Sequence, residues 1–312
     1  MGKIACIFPG QGSQYVGMGK ELFLTSSGEK ALEMAREILG SQFISLIEKG
    51  PEEELQQTAN TQPAILLVSV VAWQQLRDAG IKPDFVAGHS LGEYSAHVAA
   101  GSFELAEALR VVRRRGELMQ AADPKGEGGM AAILGLSADK VEEACRLASA
   151  LGIVAPANYN GPGQVVISGE KEAVAHAIEF AKGLGAKRAI PLTVSGAFHS
   201  RLMENVGEAL RLTLEKVPWQ APRCSVVANI DGFEVSTSER TVSTLINQVS
   251  GAVLWEQSVR HLLDLGVDTF IECGPGKVLT GLVKKIAPDA NLLRIEDEAS
   301  LKKSLAYLKE SR

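Results

Sequence analysis

The stretch Phe85-Val86-Ala87-Gly88-His89-Ser90-Leu91-Gly92-Glu93-Tyr94-Ser95-Ala96 decides how this chain is read. Three apolar residues over 85–87 read as a short buried strand. The run over 91–100 reads as a helix, stopped at Gly101. Between them lies Gly88-x-Ser90-x-Gly92, a G-x-S-x-G pattern in a strand–turn–helix setting. The chain must turn sharply there, and a Cβ at either glycine would crowd the turn. Such a turn exposes the Ser90 hydroxyl at a helix N-terminus, the setting of a nucleophile elbow. Unpaired backbone N–H groups and the positive end of the helix dipole can stabilise an oxyanion at that point. An ordinary Gly-Ser turn carries the same letters, so the motif alone decides nothing.

Outward from this turn, strands and helices alternate. Residues 3–8 form an apolar run stopped by Pro9-Gly10 and read as a buried strand. Helices are expected over 62–79 and 105–121, which implies an α/β fold with a largely parallel sheet. Asp123 to Gly129 is rich in glycine and charge and reads as a linker. Beyond it the order changes. Strand 130–136, helix 138–150, strand 153–157, a turn at 160–163, strand 164–168, helix 170–184 and strand 187–194 give β-α-β-β-α-β, the ferredoxin-like pattern. The expected division is therefore a catalytic core of 1–124 and 196–312, with 125–195 as an inserted subdomain. The core pattern then resumes with helix 202–217, strand 225–229, helices 243–249 and 253–265, and strand 267–273.

Composition narrows the classes of function. The chain has 312 residues, of which 46% are hydrophobic, enough for a sizeable core, and a net charge of −5 argues against a dedicated nucleic-acid binder. No run reaches the roughly 18 apolar residues of a membrane span. The run at 4–8 is too short for a secretory leader. The four cysteines at 6, 145, 224 and 273 form no CxxC pair, which fits reduced thiols in a cytoplasmic protein. No H-E-x-x-H and no His/Cys cluster suggests a metal, so neither metal nor bound cofactor is expected.

A serine nucleophile needs a base. His97 and His176 fall within expected helices, His261 reads as structural, and His89, beside Ser90, is expected to point away. His199 lies in Ala197-Phe198-His199-Ser200, in a loop between strand and helix, where catalytic groups collect. Pro9-Gly10-Gln11-Gly12-Ser13-Gln14 fails both phosphate-loop patterns, because Tyr15 replaces the last glycine of one and no Lys follows Gly17 for the other. It reads either as a tight turn or as a donor of a second oxyanion N–H. Arg113-Arg114-Arg115 interrupts an apolar helix. Successive helical residues point about 100° apart, so one arginine must face inward, where it needs an anionic partner.

Together, Phe8-Pro9-Gly10-Gln11-Gly12-Ser13-Gln14, Gly88-His89-Ser90-Leu91-Gly92-Glu93, Ala197-Phe198-His199-Ser200 and Gly274-Pro275-Gly276-Lys277 occur in an order that resembles the malonyl-CoA:acyl carrier protein transacylase family. The fold of that family also serves as the acyltransferase domain of polyketide synthases. The resemblance spans essentially the whole chain. It implies an α/β-hydrolase-like core with an inserted ferredoxin-like subdomain, in agreement with the pattern above. It places the acylated nucleophile at Ser90, the base at His199, and the malonate-binding arginine at Arg115, followed by Gly116. Oxyanion donors are implied at the backbone N–H groups of Gln11 and Leu91. A backbone carbonyl at Gln248 is implied to orient the histidine, although residues 249–252 depart from the Asn-Pro form expected there. Phe198 is implied to favour malonyl over methylmalonyl. One methyl group is worth only about 1–3 kcal/mol of discrimination, so that preference is bounded.

The activity so implied is transfer of malonyl from malonyl-CoA to holo-acyl carrier protein, in a free-standing cytoplasmic enzyme of fatty acid biosynthesis. Carrier proteins are acidic, so Lys284, Lys285, Lys187 and Arg188 are docking candidates. A lipase- or thioesterase-like serine hydrolase shares the elbow and the histidine, but it would carry an acidic third member and need no buried arginine. A non-catalytic carrier-binding module would function without the Ser90 hydroxyl.

Overall fold

The computed structural model describes residues 2–310. Strand β1 (Lys3–Phe8) leads through a 3-10 turn into helices α1 (Ser26–Leu39), α2 (Ser41–Lys49), α3 (Glu52–Leu55) and α4 (Thr58–Asp78). Then come β2 (Phe85–Gly88), α5 (Leu91–Ala99) and α6 (Leu105–Ala121). A second set follows: β3 (Gly128–Leu134), α7 (Ala138–Ala148), β4 (Val154–Gly161), β5 (Gln164–Glu170), α8 (Lys171–Gly183) and β6 (Arg188–Pro191). The chain closes with α9 (Glu204–Leu214), β7 (Ser225–Val227), β8 (Glu234–Val235), α10 (Ser238–Gln248), α11 (Trp255–Asp264), β9 (Val267–Cys273), α12 (Val278–Ile286), β10 (Asn291–Ile295) and α13 (Glu298–Glu310).

Two sheets result. One has the order β10-β9-β1-β2-β7-β8, with every pair parallel except the β7–β8 hairpin. The other has the order β4-β5-β3-β6 and is antiparallel throughout. The apolar run of β1 follows from its place at the centre of the larger sheet. Ile4, Cys6 and Phe8 pack into one buried layer, and Ala5 and Ile7 into the layer on the opposite face. A strand covered on both sides has no polar face to show. Helix α4 is buried round most of its circumference, which explains its weak amphipathic pattern. Ile133, Val141, Val165, Ile167 and Val174 belong to a third, separate apolar cluster beneath the smaller sheet.

Several boundaries differ from the expectations, each for a physical reason. The helix expected over 62–79 starts at Thr58 and contains Pro63. Proline cannot donate to the carbonyl four residues back. That carbonyl, of Ala59, instead accepts from Arg113 Nη1 at 2.7 Å. The helix expected from 253 begins at Trp255 because Val253 is engaged elsewhere. Its N–H donates to Ala157 O at 2.8 Å and its carbonyl accepts from Tyr159 N–H at 2.9 Å, stitching this loop to β4. The strand expected at 153–157 runs on to Gly161 along the same seam. Helix α10 starts five residues before the expected 243, capped by the Thr237 hydroxyl, which accepts from Arg240 N–H. The strands expected over 187–194 and 225–229 are shorter, ending at Pro191 and Val227. The expected linker at 123–129 is an ordered turn, in which the Asp123 carboxylate accepts from the N–H groups of Glu127 and Gly128 at 2.8 and 2.7 Å.

Candidate active site

Beyond the C-terminal end of β2 the chain turns through Ser90 into α5. A Cβ at Gly88 would lie 1.9 Å from the Gly92 carbonyl carbon, and one at Gly92 would lie 2.0 Å from Phe8 O. Both contacts are to backbone, so only glycine fits at either position. Ser90 itself has φ 52° and ψ −107°. Among the described residues, the non-glycine positions with left-handed φ are Ser90 and His199, the latter at φ 58°. Such a conformation costs on the order of 1–3 kcal/mol per residue and persists only when its surroundings enforce it. The two strained residues meet: Ser90 Oγ and His199 Nε2 are 2.8 Å apart.

The carbonyls around the ring settle its tautomer. His199 Nδ1 lies 2.8 Å from Gln248 O and 3.1 Å from Gly251 O. Carbonyl oxygens only accept, so Nδ1 carries the proton and Nε2 holds the lone pair. The Ser90 hydroxyl therefore donates to Nε2, the geometry of a nucleophile with its base. No acidic third member is needed, because two backbone carbonyls fix the ring. Burial, and next the Arg115 charge, hold the imidazole down to about 3, so it is a neutral base throughout the physiological range.

Of the three successive arginines, Arg114 is exposed, Arg113 is half-buried and Arg115 is 1% exposed. Arg115 Nη2 donates to Ser90 Oγ at 3.2 Å and to Gln248 Oε1 at 2.9 Å. Its Nη1 donates to Gln62 Oε1 at 2.8 Å. Its guanidinium carbon sits 5.3 Å from the Tyr94 ring centroid. The charge is thus held by neutral amides and an aromatic face, ready for an anion.

Ser90, His199, Arg115, Gln11, Leu91 and Phe198 all line one cavity of about 120 Å³. Leu91 is the first residue of α5, so its N–H has no carbonyl within the helix to bind. Gln11 also lines the cavity, and its side chain is tethered, Nε2 donating to Thr58 Oγ1 at 3.2 Å. His89 does not point away as expected. It is part of the cavity wall, with its Nε2 2.7 Å from Asn160 Oδ1 on β4. Buried His97 bonds Ser102, exposed His176 lies outside the site, and His261 pairs with Glu234. Among the described residues no cluster of three His, Cys, Asp or Glu side chains could hold a metal, and no helix is long and apolar enough to cross a membrane.

Residues 5–299 match the acyl transferase domain family. The malonyl CoA-acyl carrier protein transacylase of Bacillus subtilis strain 168 is 45% identical over 312 residues, covering 99% of this chain and 98% of that one. The chain belongs to the malonyl CoA-acyl carrier protein transacylase family. An acyl-carrier-protein S-malonyltransferase from Burkholderia pseudomallei superposes with a TM-score of 0.95 at 46% identity, over 97% of this chain and 99% of that one. A malonyl-transacylase in complex with a type II PKS acyl-carrier protein superposes with a TM-score of 0.95 at 41% identity, covering 98% and 99%.

The transacylase site also contains residues that the sequence did not announce. Gln62, Glu93, Asn160 and Asn229 carry no catalytic pattern. Asn229 Oδ1 accepts from Ser90 N–H at 2.7 Å, and its Nδ2 donates to Gly88 O at 2.6 Å. Glu93 is fully buried: its carboxylate accepts from Gln248 Nε2 and Asn229 N–H, and burial pushes it up to about 7.

Proposed function

We propose that this chain transfers a malonyl group from malonyl-CoA to the phosphopantetheine thiol of acyl carrier protein through an ester on Ser90. The observation that carries this reading is that one atom, Ser90 Oγ, is within hydrogen-bond distance of both the His199 base and the buried Arg115 cation. A nucleophile beside a buried cation suits an acyl group with a distal carboxylate.

His199 Nε2 takes the hydroxyl proton as Ser90 Oγ attacks the thioester carbonyl. The N–H groups of Leu91 and Gln11 receive the oxyanion. The C–S bond breaks, the proton passes from His199 to the departing CoA sulfur, and malonyl-Ser90 remains. In the second half-reaction His199 takes the proton of the carrier thiol. Sulfur attacks the ester, Ser90 Oγ leaves, and His199 returns the proton to it. Arg115 binds the malonyl carboxylate through its two-pronged guanidinium and so holds the carbonyl over Ser90. Phe198, in the cavity wall, leaves little room for a methyl on the malonyl Cα.

Further parts of the reading rest on the same basis. The strand order β4-β5-β3-β6 supports a ferredoxin-like subdomain at 125–195, inserted in an α/β-hydrolase-like core of 1–124 and 196–312. The pathway is fatty acid biosynthesis, the location cytoplasmic, and the two thioesters are substrates rather than cofactors. Lys285 Nζ donates to Gln164 Oε1 at 2.9 Å, and Gln164 and Arg188 both pair with Leu134. Lys284, Lys285, Lys187 and Arg188 thereby gather near one end of the smaller sheet, where an acidic carrier would dock.

Intact-protein mass after brief mixing with malonyl-CoA tests the reading. The expected result is a gain of one malonyl group, absent in Ser90→Ala and discharged by holo-acyl carrier protein. Accumulating free malonate without a dischargeable adduct would point to a hydrolase. The pH profile gives a second check. Because His199 titrates near 3, acylation at subsaturating malonyl-CoA is expected to keep its rate as pH falls through 6.5. At saturation the bound carboxylate offsets the Arg115 charge, one cause of the depression, so the acid limb of kcat should lie at higher pH than that of kcat/KM. An acid limb of kcat/KM at 6.5, persisting in Glu93→Gln, would contradict this assignment.

A further inference from the structure

Ser90 and His199 are both held in strained backbone conformations, yet the loops that carry them come from distant parts of the chain. One buried polar cluster connects them. Asn229, just beyond β7, is 0% exposed. It grips the elbow just before the nucleophile, at the peptide groups on either side of His89, accepting from Ser90 N–H at 2.7 Å and donating to Gly88 O at 2.6 Å. Gln248, at the end of α10, is also 0% exposed. Its Nε2 donates to Ser90 O at 2.9 Å, while its own main-chain carbonyl accepts from His199 Nδ1 at 2.8 Å. A single residue therefore touches the backbone of the nucleophile with its side chain and the base with its backbone.

Glu93 ties these two residues together. Its Oε2 accepts from Gln248 Nε2 at 2.7 Å and from Asn229 N–H at 3.0 Å. Its Oε1 has no hydrogen-bond partner among the described residues. No base or substrate role in the proposed reaction uses this carboxyl group, and a wholly buried carboxyl is costly unless it is bonded. Orientation of the Gln248 amide depends on it. With Glu93 accepting, Nε2 faces Ser90 O and Oε1 faces Arg115. Without that acceptor the amide loses the shortest of the bonds that hold this orientation.

We propose that Glu93 and Asn229 are positioning residues that clamp the nucleophile and its base into one rigid unit, Glu93 acting through the Gln248 amide and Asn229 through the backbone that leads into Ser90. The inference deepens the proposed function, resting on its assignment of Ser90 and His199 but not on the identity of the acyl donor.

The test therefore uses a small fluorophosphonate, which phosphonylates an activated serine whatever its natural substrate. The rate of Ser90 labelling is read by intact mass, per mole of protein that melts cooperatively. Wild-type protein should label, while Glu93→Ala and Asn229→Ala should label about 10²-fold more slowly, as expected for loss of a buried bonding partner. Glu93→Gln offers the same acceptor oxygen without the charge and should recover to within about tenfold of wild type. Combined with His199→Ala, the Glu93→Ala change should add little further loss, because its effect runs through the base and its partner. Labelling of Glu93→Ala at the wild-type rate would overturn the clamp. So would a Glu93→Gln variant as slow as Glu93→Ala, fully multiplicative losses with His199→Ala, or a wild-type Ser90 that does not label. Failure to form a malonyl adduct despite normal labelling would instead count against the malonyl reading alone.

Discussion

Replacing either Ser90 or His199 with alanine is expected to lower malonyl transfer by about 10⁴- to 10⁶-fold, and replacing both should cost little more than replacing one. Without the Ser90 oxygen no acyl-enzyme can form, and the protein is left with whatever its binding groups do for direct attack. Without His199 the hydroxyl remains in place but has no acceptor for its proton. Its other neighbour, the Arg115 guanidinium, only donates. The two losses are alternatives within one step, so they do not multiply. The geometry makes this more than analogy: the Nδ1–H of His199 is committed to Gln248 O and Gly251 O, so the only free valence of the ring faces Ser90 Oγ at 2.8 Å. Single-turnover rates of adduct formation and discharge, measured for both single variants and the double, check the expectation. A His199→Ala protein within tenfold of wild type would mean that another group takes the proton.

Much of this site is legible in the chain because its chemistry is written locally. The elbow needs glycines at 88 and 92 for steric reasons, and the strand before it and the helix after it carry their own apolar patterns. His199 stands out by its loop position and Arg115 by interrupting an apolar helix. Asn229 and Glu93 are not legible in the sequence, since they meet the site through contacts 136 to 158 residues apart in the network they share with Gln248. The same holds for the loop before α11. Its residues 253 and 254 suit a helix by composition, but a bridge to β4 of the other sheet claims the Val253 backbone, and the Leu254 N–H donates to Asn229 O at 2.9 Å. Residues 15–57 carry no pattern that marks an element, yet α1 to α3 lie there. Helix α1 does carry a cap at Thr25 and a glycine at 40, but Ser26-Ser27-Gly28 at its start reads as a loop until the cap is seen to accept from Gly28 N–H. The direction of His89 is set by Asn160 in the smaller sheet, which its place in the turn does not reveal.

Arg115→Ala is expected to reduce malonyl transfer by about 10²- to 10³-fold, while acetyl transfer from acetyl-CoA should fall by less than tenfold or rise. Arg115 is 1% exposed, and its hydrogen bonds go to the neutral side chains of Gln62, Gln248 and Ser90. Burial lowers its pKa, as it must for a cation without a close counter-ion, although Tyr94 and Glu93 act against that shift. A bound malonyl group brings the missing anion to a guanidinium already desolvated and oriented, so most of the interaction is realised without rearrangement. An acetyl group offers nothing for it to bind. Lysine at the same position restores charge but not the two-pronged geometry, and it cannot hold Gln62 and Gln248 in the same way. Arg115→Lys should therefore recover only part of the malonyl preference. The ratio of kcat/KM for malonyl-CoA to that for acetyl-CoA is the measurement, taken on wild type and both variants. Equal loss for the two acyl groups would reduce Arg115 to a brace for Ser90 Oγ and Gln248. A loss confined to malonyl would make it the residue that selects the substrate, with the oxyanion and base geometry left intact.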